Sequence, residues 1–146
     1  MNFLKSLIAG FAGAAALNIL HETVRKFDKG APRLDLLGEE ALQKSTKALH
    51  LPIPNGDKLY NVTIVGDILS NATYYTAIGI GGEKFLVLKA LGYGLSAGLA
   101  AIKLPEPMEL DDSPLASSDE RKIMILGYYV FGALITAGVL RMMSKK

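Results

Sequence analysis

Asn18, His21, Glu22 and Arg25 lie at i, i+3, i+4 and i+7 in the stretch NILHETVRK, so a helix through them presents all four on one face. His21 and Glu22 open like H-E-x-x-H, the motif in which two histidines one turn apart hold zinc and the glutamate serves as base. The fifth position here is Arg25, a cation that opposes a bound metal ion. The other histidine, His50, falls in a loop, and the chain has no cysteine. Neither a metal site nor a cofactor is expected from these residues.

A second polar stripe runs through Asp67, Asn71, Tyr74 and Tyr75, at i, i+4, i+7 and i+8. If the first helix ends near Phe27 and the second begins near Leu59, His21 lies about 9 Å and Asp67 about 12 Å from their respective ends. Antiparallel packing then brings the His-Glu pair and Asp67 to one level. Tyr93, Ser96, Tyr128 and Tyr129, from two further helices, come at roughly 15 Å. A buried acid needs partners, and Arg25, His21, Asn71 or a tyrosine hydroxyl are the candidates for Asp67, which otherwise stays protonated. Two outcomes are open. In one, these side chains pair with each other and hold the helices together. In the other, they line a pocket opening toward the loops for a lipid headgroup or a small polar substrate, with Arg25 and Arg33 as anion partners and His21 titratable near neutral pH.

The elements that must position these residues are four apolar runs, at about 3–27, 59–80, 84–104 and 118–143. Each is long enough, at about 1.5 Å per residue, to span the roughly 30 Å core of a bilayer. An all-α, four-helix transmembrane bundle in a single domain over residues 1–146 is therefore predicted. A soluble bundle would scatter charge around each helix, but Phe3–Leu20 carries only Lys5, Ser6 and Asn18 as clearly polar residues. The small-residue stretch AGAAA resembles a leader cleavage site, yet no charged cluster precedes the first run, so a retained helix is expected. Ala9/Gly13, Gly10/Ala14 and Gly94/Gly98 are spaced for close helix packing. Lys5, Lys89 and Lys103 lie near helix ends, where their heads can reach water. Ser117 to Glu120 reads as an S-x-x-E capping box before the last run.

The loops differ. Only Gly81 to Glu83 separates the second and third runs, which predicts an antiparallel hairpin. Residues 33–49 place Leu34, Leu37, Ala41, Ala48 and Leu49 near helical spacing among charges, predicting a short amphipathic helix on the membrane surface. LPIPNGDK after it reads as a turn, and PEPMELDDSPLASSDE as a solvated, acidic connector. The two long loops share one side and both termini the other. Of the 16 lysines and arginines, ten lie on the loop side (Arg25, Lys26, Lys29, Arg33, Lys44, Lys47, Lys58, Lys103, Arg121, Lys122) and the others on the terminus side. The loop side is thus expected to be cytoplasmic.

The formal charge is only +2 and no basic cluster interleaves with aromatics, so nucleic acid is not an expected partner. The expected partners are the bilayer, a lipid headgroup, and other proteins or a second copy of the chain. Asn61-x-Thr63 and Asn71-x-Thr73 match the glycosylation sequon but fall in the second run, and GIGG lacks the Lys-Ser/Thr ending of a phosphate loop. No Ser-His-Asp set or carboxylate pair has a recognisable context, so an enzyme is not the first expectation.

With HETVRK and APRLDLLG after the first run, GDILSNATYY in the second and LPEP after the third, the chain resembles a group of small bacterial four-helix integral membrane proteins. The resemblance implies a multi-pass protein of the bacterial inner membrane and attaches no activity. The function expected is that of a structural or accessory membrane component whose polar residues pair inside the bundle. The alternative is a ligand-handling protein, a lipid-substrate enzyme or small carrier, using His21, Glu22, Arg25 and Asp67.

Overall fold

A computed structural model describes residues 1–145, and all its regular structure is helical. Helix α1 is Phe3–Phe27, α2 Leu34–Ala48, α3 Gly56–Thr76, α4 Leu86–Lys103, α5 Ser113–Ala116 and α6 Asp119–Ser144. The boundaries follow local chemistry. The Asn2 side chain accepts from Leu4 N–H at 2.8 Å and starts α1. A 3-10 turn, Ala77–Gly79, ends α3, and Gly81 and Gly82 then take left-handed φ values of 78° and 86° that turn the chain toward α4. Ser118 caps α6 by accepting from Arg121 N–H at 3.2 Å. The expected box from Ser117 to Glu120 does not form; Ser117 Oγ instead accepts from the Arg121 guanidinium at 3.0 Å.

The helix directions alternate as predicted. Lys5 at the start of α1 donates to Met143 O at the end of α6 (2.8 Å), and Arg121 at the start of α6 donates to Gly30 O just past α1 (2.9 Å). Small residues decide which helices meet. A Cβ on Gly10 would run into Ala72 O of α3, one on Gly13 into Gly132 O of α6, and one on Gly94 would lie 2.7 Å from Val130 Cα of α6. Helix α1 therefore packs on α3 and α6, and α4 packs on α6. The order across the molecule is α3, α1, α6, α4.

That order corrects one expectation. Helices α3 and α4 are joined by a short turn yet do not pack along each other, because their small-residue faces meet α1 and α6 instead. They diverge to leave a cleft of about 350 Å³.

The third loop is mostly exposed, as expected of a solvated connector, but it is more structured than expected, carrying α5 and docking on α2. Leu115 is fully buried, and the segment is tied to α2 by Asp111 N–H to Glu40 Oε2 (2.9 Å), by Lys44 Nζ to Glu109 O, and by Arg33 N–H to Pro114 O (3.0 Å). Helix α2 matches the predicted 33–49 segment, and it docks on α3 and α5 to form a cap over the loop-side ends.

Three helices, α1, α4 and α6, are long and apolar enough to cross a membrane. Helix α3 is not among them, since Asn61, Asp67, Ser70, Asn71 and Thr73 lower its hydropathy. The core is narrow, built from small side chains and Leu17, Tyr75, Ile78, Ile125 and Leu140. Large apolar side chains also face outward, among them Phe3, Ile8 and Ile19 on α1, Val87, Leu88, Leu95 and Leu99 on α4, and Ile123 on α6. A surface of this kind suits lipid rather than water.

Candidate functional site

The residues of the two sequence stripes separate into three groups. In the first, Asp67 is held across the α1–α3 interface. Asn18 Nδ2 donates to its Oδ2 at 2.9 Å and Asn71 Nδ2 to its Oδ1 at 3.1 Å, while Asn18 Nδ2 also reaches Ala14 O at 3.1 Å. The partners are neutral amides, one of them the expected Asn71. Arg25 points elsewhere.

The second group gathers around Asp35, the first-turn acid of α2, which is buried. Arg33 forks onto it, Nε to Oδ1 at 2.9 Å and Nη2 to Oδ2 at 2.7 Å. Arg25 adds a longer contact from Nη1 to Oδ2 (3.4 Å), and His21 Nε2 lies 4.0 Å from Oδ1. Burial works against the Asp35 charge, but the Arg33 fork, with Arg25 and His21 nearby, outweighs it and holds the carboxyl below its ordinary range. The same hydrogen bond to Asp35 raises Arg33 above its ordinary value. Glu22 binds Arg25 Nη2 at 2.5 Å and lies 3.6 Å from His21 Nδ1.

His21 itself is buried. Its Nε2 lies 3.1 Å from Pro32 O and 3.3 Å from Leu34 N, the backbone entering α2. When protonated this nitrogen donates to the carbonyl; when not, it accepts from the amide. The Tyr128 ring of α6 stands edge-on to the imidazole, with centroids 5.8 Å apart. The histidine thus fastens the α1–α2 turn, and its Nε2 is occupied by backbone. Among the described residues no three His, Cys, Asp or Glu side chains converge as a metal-ion set.

The third group is aromatic. Tyr75 is buried and donates to Tyr129 O of α6 at 2.7 Å, while Tyr74 and Tyr93 meet edge-to-face at 5.3 Å beside the α3–α4 cleft. Tyr74 and Tyr93 are therefore separate from the His21 cluster. Asn71 also borders that cleft, which is otherwise walled mainly by apolar residues such as Leu37, Ala97, Ala101 and Met108.

Where the first two groups meet, Asn18, His21, Asp35, Thr63 and Asp67 surround a void of only about 20 Å³. A substrate does not fit. The level match between His21 and Asp67 holds in that both line this void, together with Asp35, while Glu22 turns away to Arg25.

No protein family, curated protein or solved structure matches the chain. The resemblance to bacterial membrane proteins gains no relative from these comparisons, and the functional reading rests on geometry.

Asp35 and Thr63 escaped the sequence reading. Asp35 looked like one of the charges on the wet face of an amphipathic helix, although an acid in a helix's first turn, flanked by Leu34 and Leu36, was the available signal. For Thr63 there was no signal beyond its place one turn before Asp67.

Proposed function

We propose that this chain is a four-pass membrane protein that serves as a structural or accessory component, its polar residues closing on one another to lock the loop-side cap onto the membrane helices. The observation that carries this reading is the size of the void. Asp35, Asp67, Asn18 and His21 are engaged with protein partners around a void of about 20 Å³, too small for a substrate. The larger groove beside Asn18 and Glu22 between α1 and α3, about 610 Å³, is open to the outside and walled largely by apolar residues such as Ile19, Ile64, Val65 and Ile68.

The fourth crossing follows from direction. Helices α1 and α4 both run from the terminus side to the loop side and α6 runs back, so if these three cross, the chain must return between α1 and α4. Helix α3 makes that return, with Asp67 turned toward Asn18. The bacterial inner membrane with the loops cytoplasmic is the placement we adopt, supported by the excess of lysine and arginine on the loop side.

The absence of cysteine makes the test direct. Single cysteines at Lys47 and Glu109 should be labelled from one side of the membrane, and at Glu83 and Ser144 from the other. Labelling of Glu83 from the Lys47 side would remove the α3 crossing. Native mass spectrometry of gently extracted protein should detect no small molecule whose retention depends on His21 and Arg25. A molecule released by His21→Ala and Arg25→Ala would replace the structural reading with a ligand-handling one.

A second reading has its own observation, the α3–α4 cleft of about 350 Å³. Its apolar walls suit an acyl chain rather than a headgroup, so a ligand-handling function would be centred there. A bound lipid displaced by Ala97→Phe, but retained in His21→Ala, would favour it.

A further inference from the structure

Thr63 behaves unlike every other threonine in the chain. Thr23, Thr46, Thr73, Thr76 and Thr136 each donate from Oγ1 to the carbonyl four residues earlier, at 2.7 to 3.0 Å. The Thr63 hydroxyl has no hydrogen-bond partner among the described residues, although the side chain is only 7 % exposed. Its methyl packs toward α2, where a Cβ added to Gly38 would lie 2.7 Å from Cγ2. The residue lines the same void of about 20 Å³ as Asn18, His21, Asp35 and Asp67. A buried hydroxyl with no partner costs about 1–3 kcal/mol, so a threonine in this position calls for one.

We infer that this void is a binding site for a single water molecule, held by Thr63 Oγ1 and the Asp67 carboxylate. The size agrees, since a water needs about 10–15 Å³ and two to four polar partners. The chemistry agrees as well. Each Asp67 oxygen accepts one amide hydrogen bond and has capacity for another, while the hydroxyl can donate or accept. Asp35 is already satisfied by Arg33 and serves as wall rather than ligand. Both ligands lie on α3, so the water fills the point where α1, α3 and the cap meet and satisfies α3's own polar groups there. This inference does not depend on the membrane reading, because it concerns only the packing of α1, α2 and α3.

The test is a structure of the full chain at a resolution that shows ordered solvent, for wild type, Thr63→Ser and Thr63→Val. Wild type and Thr63→Ser should each show one density peak in the void at about 2.6–3.2 Å from the hydroxyl. Thr63→Val, which has the same shape without the oxygen, should lose it. A wild-type void without density would overturn the inference, as would a peak unchanged in Thr63→Val or a peak surrounded by oxygens at cation-coordination distances. If Thr63→Val does not fold, the wild-type and serine structures still decide.

Discussion

Asn18 and Asp67 hold α1 to α3 through one 2.9 Å hydrogen bond between residues 49 positions apart. It occurs well inside both helices, with Asn18 buried and Asp67 partly buried. The arrangement turns the most polar face of α3 inward and leaves Val62, Val65 and Leu69 outside.

Asp67→Asn should therefore destabilise the protein. The carboxylate accepts from two amide groups, and an asparagine must turn its own NH2 toward one of those donors. The expected loss is about 1–3 kcal/mol, read as a lower unfolding midpoint in detergent. Unchanged melting would mean that the network does not hold the helices.

Asp35→Ala should release the cap while leaving the long helices packed. It leaves Arg33, Arg25 and His21 without their shared partner, but Arg33 and Arg25 are partly exposed and recover water, so the cost is set at about 1–3 kcal/mol, below that of a fully buried pair. Proteolysis in the 28–33 and 105–113 segments should accelerate, with the α1, α4 and α6 fragments still resistant. Uniform protection in the variant would argue against the clasp.

Acid should act through the same residue. Because the Asp35 carboxyl is held below its ordinary range when folded, the unfolded chain binds the extra proton first. Its contribution is complete above the ordinary value of about 3.9 and is lost as pH falls through the lower folded value. Cap release below about pH 4 is expected in wild type and should be absent as a separate step in Asp35→Asn. Equal acid profiles for the two proteins would assign the step elsewhere.

Two glycines offer an opposed pair of outcomes. Gly13→Ala places a methyl against Gly132 O and Thr136 and should force α1 from α6, costing about 1–3 kcal/mol. Gly138→Ala adds its methyl to open space on α6 and should be neutral or stabilising by up to about 1 kcal/mol. Thermal midpoints in one detergent compare them; similar shifts for both would mean that α1 and α6 do not approach as closely as described.

Much of this site was legible because helical period alone assigns residues to faces. Asn18, His21, Glu22 and Arg25 form one stripe whatever surrounds them, and rise per residue puts Asp67 near their level. The partners were less legible. His21 binds the backbone at Pro32 and Leu34, which no side-chain pattern announces, and Asp35 comes from a helix whose docking depends on the opposite connector. The expected α3–α4 hairpin failed for a related reason. A short turn makes two helices antiparallel, but the contact goes to whichever neighbours present the smallest residues.

Composition and periodicity thus determined the helices, the alternation of their directions, the segregation of charge and the two polar stripes, since these follow from hydrophobicity and geometry within each segment. Tertiary structure decided the order α3, α1, α6, α4, the clasp on Asp35 and the closure of the void beside Thr63. Those depend on how each helix rotates about its axis to bury its small residues, and that rotation is set by all the neighbours at once.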